Sequence, residues 1–282
     1  MASNPGQLPS FHRPPVDEVA VGVQFNLEGF LPTHYGSFHD RVKSEFPGVQ
    51  ALPPLPPIND SFSTPTGAIN LSLSPLAQLA SGWPPWPRAL FVSADDCSII
   101  QLQRDRLYFN WRQRPIQEEK EYRRYSHLRS GFSAAYSAFE TWAAEQRLGP
   151  VAPTYCEIVY VNPLPFAATG VGPSEPDRVF RVWSKDVGEE WKEPPEGLAF
   201  TSRYQLHDDA GEPCGRLTVT MSTAVGHDSV SEMRLELAAR GTPRGAGLDG
   251  ILAFHDIGHA AIVRCFAAIT TPAMHARWDR HQ

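Results

Sequence analysis

Cysteine is scarce in this chain of 282 residues: Cys97, Cys156, Cys214 and Cys265 are all there is, and no two of them form a CxxC pair. That spacing argues against a zinc framework and, at this length, against a fold built on disulfides. Cys156 and Cys265 fall in apolar runs, where a thiol packs as a small hydrophobe. An apolar h-region is missing from the opening MASNPGQLPSFHRPP, so no secretory signal is expected. No apolar run is read as reaching the roughly 18 residues of a membrane span. Positive charge is not in excess either: 25 Lys and Arg face 31 Asp and Glu, for a formal net charge of −6. No global field therefore draws the chain to nucleic acid or anionic lipid. The glycine-containing GVGPSEP stretch, 170–176, lacks the lysine and the following helix of a phosphate loop. Serine-hydrolase and cysteine-protease signatures are absent. The expectation is a soluble, cytoplasmic protein without a cofactor or membrane partner.

Apolar residues make up 41% of the chain and charged residues 20%, an ordinary globular balance, and the 27 prolines gather in a few segments. After a polar tail at 1–15, expected to be flexible, DEVAVGVQFNL alternates Val19, Val21, Val23 and Phe25 against polar or small residues, as a half-buried strand does. HYGSFHDRVKSEF places Tyr35, Phe38, Val42 and Phe46 at helical spacing. A proline-rich insert runs over 50–87, with GAINLSLS inside it as a candidate short strand. Residues 88–113 read as an antiparallel meander turning at Asp95-Asp96 and Asp105-Arg106. Residues 125–149 carry an apolar stripe of Leu128, Phe132, Ala135, Tyr136, Phe139 and Trp142, the strongest helical signal in the chain. Further on, 155–166 and 232–241 read as strands, 198–224 as a hairpin around Asp209-Ala210-Gly211, and 175–186 as a short helix or strand. The segment from Leu248 to Thr271 reads as a long closing helix.

The two halves share letters in the same order. DEVAVGVQFNL (17–27) matches CEIVYVNPL (156–164), DRVKSEF (40–46) matches DRVFRVW (177–183), and DRLYFNW (105–111) matches GRLTVTM (215–221). Each half also ends in a long amphipathic helix, which suggests an internal duplication. The fold class expected is α+β: one compact unit of two related halves, 16–150 and 151–282. They would share a curved antiparallel sheet, TATA-binding-like or helix-grip-like, with two long helices on one face.

PPVDEVAVGVQFN, FHDRVKSEFPGVQALPPLPP, IIQLQRDRLYFNWR, EYRRYSHLRSGF and FAAITTPAMHARW together resemble a bacterial family of sporadic distribution and unknown function. The resemblance spans Pro14 to Trp278. Its most specific part is Gln101, Gln103, Asp105 and Arg106 followed by Phe109-Asn110-Trp111-Arg112. Where the family pattern has proline after Tyr122, this chain has Arg123. The resemblance implies no reaction and no active site; it suits an accessory role in a mobile or defence-type gene cluster.

Three constellations carry chemistry. In GILAFHDIGHAAIVRCF, His255 and His259 lie four apart on one helix face beside Asp256, a spacing that can hold a metal. LAFHDIGH resembles the His-Asp motif of HD-type phosphohydrolases, whose metal activates water. His227 and Asp279 could complete that set, but the strand-like segment before His255 and the short chain after Asp279 fit a helical bundle poorly. Glu does not follow the first histidine, so the zinc-protease motif is not met. The helical wheel turns His255 inward and Asp256 outward, favouring core histidines with satisfied ring nitrogens and no metal. Second, the segment from Arg104 to Arg129 is locally basic, and its Arg123, Arg124 and Tyr125 could hold phosphates and stack bases, unless the arginines pair with nearby Glu. Third, Asn110 and Arg112 point away from Phe109 and Trp111, toward a sheet face that could meet a ligand. PPLPP and WPPWP are read as ordered proline loops covering a sheet edge rather than as polyproline ligands. The function expected is a non-enzymatic binding or interaction protein, holding a protein partner or small ligand on the sheet face or in the groove between sheet and helices. An HD-like hydrolase and a nucleic-acid-binding protein are the alternatives.

Overall fold

The computed structural model describes residues 7–56, 58, 60, 62, 86–114, 122–172, 174–183, 193, 195–225 and 231–281. Nine strands form one sheet: β1 Glu18–Asn26, β2 Gly48–Leu52, β3 Arg88–Val92, β4 Ser98–Gln103, β5 Arg106–Arg112, β6 Ala152–Pro165, β7 Ala199–His207, β8 Pro213–Val225 and β9 Ser231–Gly241. Their order is β2-β3-β4-β5-β1-β6-β9-β8-β7. Every pairing is antiparallel, and the centre is the β1–β6 pair, with Val21 opposite Ile158. Among the described residues the helices are α1 His34–Val42, α2 Tyr125–Glu145, α3 Phe166–Thr169, α4 Gly247–Ile269 and α5 Pro272–Arg277. The architecture is α+β with a large antiparallel sheet.

Side-chain alternation sorts the sheet into two faces. Val19, Val21, Val23 and Phe25 of β1 are buried toward the helices, beside Leu107, Phe109 and Trp111 of β5 and Ile158 of β6. Helix α2 lies over β1 and β5, and α4 over β6, β8 and β9. Phe254 of α4 sits where β-carbons on Gly215 and Gly241 would be, 2.7 and 2.1 Å from its ring, so this helix reaches the backbone of β8 and β9. Helix α4 has the length and apolar composition that a membrane span would also need, against the sequence expectation that no stretch does. Its Phe254, His255, Gly258 and Ile262 are buried, which makes it a core helix of this sheet.

The opposite face is polar. One cross-strand row runs Gln101, Tyr108, Gly22, Glu157, Arg240, Arg216, Gln205, from β4 to β7. Tyr108 lies over Gly22, whose missing β-carbon would fall 2.0 Å from the ring. Its hydroxyl donates to Glu157, and Arg240 Nε donates to the other oxygen of the same carboxylate.

Several expectations need correction. Residues 7–15, placed in a flexible tail, pack against the C-terminal turn: Phe11 is buried and bridges Arg280, and His12 N–H donates to Asp279 O at 3.0 Å. Its aromatic ring gives that segment an apolar anchor that the polar letters around it concealed. PPLPP does not cover a sheet edge; described residues between Pro53 and Phe62 meet the polar face. GAINLSLS and most of WPPWP lie outside the described residues. Residues 176–178 form a single 3-10 turn. The match of DRLYFNW with GRLTVTM pairs β5 with β8, which hold different places: β5 adjoins the central pair, and on the other side β9 does.

Candidate ligand-binding site

A cavity of about 400 Å³ opens on the helix face between the start of α2, the middle of α4, strands β6 and β9, and the N-terminal segment. Alternation on β6 brings Tyr160 and Asn162 to this side, in phase with Cys156 and Ile158. On α4, His259, Ile262, Val263 and Phe266 are one-turn neighbours and share a face. Leu8, Phe11 and Val16 close the outer wall, with Phe11 edge-on to Phe266 at 5.5 Å.

Its polar side is a chain of neutral groups. Tyr122 Oη donates to Tyr160 Oη at 3.2 Å, and Tyr160 Oη lies 2.9 Å from His259 Nδ1. Burial pushes the Tyr122 hydroxyl up to about 12 and Tyr160 well above its ordinary value. Burial also lowers His259 to about 4, only partly opposed by Asp256. At neutral pH the imidazole is uncharged, accepts from Tyr160 through Nδ1 and carries its proton on Nε2. Tyr125 stacks flat on it, centroids 4.0 Å apart and planes 9° from parallel. The ring is therefore fixed from two sides. Arg124 lines the cavity as its one charged side chain among the described residues, and no carboxylate lines it. Its Nη1 donates to Phe11 O at 2.9 Å, tying α2 to the N-terminal wall. Such a cavity suits an apolar body with an accepting or anionic end.

The residues singled out from the sequence are scattered over the molecule. Arg124 and Tyr125 reach the cavity. Asn110 is buried on the polar face, where Nδ2 donates to Glu18 at 3.1 Å and Oδ1 has no partner. Arg112 pairs with Asp96 and Arg123 with Asp95. Arg114 also pairs with Asp96, Arg106 with Asp105, and Arg129 with Asp256. Among the described residues the arginines of the basic segment pair with aspartates; the glutamates at 118, 119 and 121, the partners expected from the sequence, lie outside the described residues.

The HDIGH groups do not converge either. His255 is fully buried, its Nε2 2.9 Å from Gly22 O, while Phe132 stands edge-on at 4.9 Å. Its Nδ1 has no partner, which corrects the expectation of satisfied ring nitrogens; burial lowers the imidazole to about 4, so it stays neutral there. Asp256 faces outward to Arg129, at 3.0 and 3.2 Å, and to the Tyr125 hydroxyl at 2.8 Å. Asp279 is exposed in the C-terminal turn, and His227 lies outside the described residues. Among the described residues no three His, Cys, Asp or Glu side chains are placed to share a metal ion.

Sequence reasoning missed Tyr160, Asn162 and the N-terminal wall. Asn162 had a signal: it falls on the inward parity of an apolar strand. Tyr160 and Phe11 had none, because aromatic letters read as ordinary core. No family model, no curated protein and no solved structure matches this chain.

Proposed function

We propose that the protein is a non-enzymatic binding protein whose site is the cavity between α2, α4 and β6. Its ligand would be a small molecule with an apolar body and an anionic or hydrogen-bond-accepting end. The observation that carries this is the wall: Phe11, Leu237, Ile262 and Phe266 enclose about 400 Å³ beside Arg124 and a fixed, neutral His259. Ligand cavities of this kind are mostly apolar with a few convergent polar groups. The aspartate partners of Arg112, Arg123 and Arg129 weigh against nucleic-acid binding, which needs cations available to phosphates. The Arg129–Asp256 pair and the outward carboxylate weigh against an HD-type hydrolase.

The resemblance to the sporadic bacterial family is part of the same proposal, and so is a duplicated, TATA-binding-like sheet. Its support is the order read outward from the central pair: β1, β5, β4, β3 on one side, with β2 added at the edge, and β6, β9, β8, β7 on the other, a long helix following β5 in the first half and β9 in the second. Titration with 1-anilinonaphthalene-8-sulfonate, an aromatic anion of suitable size, tests the site. Saturable one-site binding is expected, lost in Ile262→Trp, which fills the cavity, with cooperative unfolding retained. Binding that Ile262→Trp leaves unchanged would place the dye elsewhere and end the proposal.

A further inference from the structure

Strands β2 and β3 are adjacent and antiparallel, closing with Leu52 opposite Arg88, yet 35 residues separate them. A hairpin needs about two to five. Connectivity between adjacent antiparallel strands does not require so many residues. Its described part from Leu55 to Phe62 meets the polar face through six strands in their spatial order, passing over β9. Gln103 of β4 accepts from Leu55 N–H at 2.8 Å and donates to Leu55 O at 3.0 Å. Arg106 of β5 donates to Pro56 O at 2.9 Å. Gln24 of β1 accepts from Ile58 N–H at 2.9 Å. Tyr155 of β6 donates to Asp60 O at 3.5 Å and meets the Phe62 ring edge-on at 5.7 Å. Arg216 of β8 binds both Asp60 carboxylate oxygens at 2.5 Å and lies over the Phe62 ring, 5.9 Å from its centroid. Gln205 of β7 donates to Phe62 O at 3.0 Å.

The contacts of Leu55, Pro56, Ile58, Asp60 and Phe62 thus fall on successive positions across the sheet. Pro53, Pro54, Pro56 and Pro57 remove backbone donors and favour extension. Five of the six sheet side chains engage the main chain, which any extended peptide offers. Arg216, 7% exposed at its side chain, engages a carboxylate, which selects for acid. Main-chain contacts for affinity and a side-chain contact for specificity are how peptide-binding surfaces work.

We propose that this face is a recognition surface for a proline-containing acidic peptide of a partner protein, and that the chain's own Leu55, Pro56, Ile58, Asp60 and Phe62 hold it in cis as a displaceable stand-in. The test replaces residues 53–62 of the full chain by Gly and Ser at equal length and follows the anisotropy of a fluorescein-labelled ALPPLPPINDSF peptide. Binding to the replaced protein is expected at least tenfold tighter than to the native chain. It should weaken at least tenfold when Arg216→Ala is added or when the peptide's aspartate becomes alanine. A folded replacement variant that does not bind the peptide overturns the proposal, as does binding insensitive to Arg216→Ala. Loss of cooperative unfolding in the replacement variant also overturns it, because the segment is then a permanent part of the core.

Discussion

The two faces of the sheet solve different problems with the same strands. On the helix face, Val19, Val21, Phe109, Ile158 and Ala239 pack against α2 and α4, and the burial is apolar and non-directional. On the other face, Tyr108, Glu157 and Arg216 are buried and Arg240 is partly exposed, in a polar row whose stability depends on each group finding its partner. One face supplies most of the folding free energy. The other supplies direction and hydrogen-bonding capacity. The helix face also contains buried polarity, since His255 and His259 are neutral imidazoles among aromatic rings.

The sharpest break in the comparison should come from Phe254→Ala. Removing a fully buried ring from above Gly215 and Gly241 is expected to cost about 3–5 kcal/mol, seen as a fall in urea midpoint. Acid should act next, again through the helix face. The His255 imidazole sits near 4 in the folded chain against 6.5 in its absence. The unfolded state therefore takes up the proton first, and stability is lost as pH falls from 6.5 toward 4. The loss from His255 alone should reach about 3 kcal/mol, and urea unfolding of His255→Asn across that window should show a correspondingly flatter profile. On the polar face, Glu157→Ala leaves Tyr108 and the partly exposed Arg240 without their shared acceptor; about 2 kcal/mol is expected by urea unfolding. The smallest effect has the opposite sign. Burial raises Asp17 to about 6, and its Oδ1 has no partner. Its folded-state pKa exceeds the ordinary 3.8, so it costs stability above pH 6. Asp17→Asn should stabilise by about 1 kcal/mol at pH 7, with the gain gone below pH 4. A Glu157→Ala variant as stable as the native chain would show that the polar face adds nothing to folding.

Much of the architecture was legible because periodicity is local. Val19, Val21, Val23 and Phe25 announced β1 and its buried face, and Leu128 through Trp142 announced α2. The wheel position of His255 against Asp256 was also readable, since 100° per residue places them on different faces. The string match of β5 with β8 misled for the same reason: alternating strands of one sheet share letters whatever their place in it. The cavity was barely legible. Arg124, Tyr125 and His259 were noted for phosphate or metal chemistry, while Tyr160 and Phe11, distant in sequence, passed as core. The aspartate partners of Arg112 and Arg123 were not foreseen, because those ion pairs form across turns, with Asp96 and Asp95.

By itself the sequence determined which residues alternate, which repeat at helical spacing and where proline forbids both, because those signals arise between neighbours in the chain. Only the tertiary structure decided that Tyr122, Tyr160 and His259 form one hydrogen-bonded chain, that His255 meets Gly22, and that Asp60 crosses the sheet to Arg216. Those contacts depend on strand order and register, which many similar alternating segments satisfy equally well until the whole core is packed.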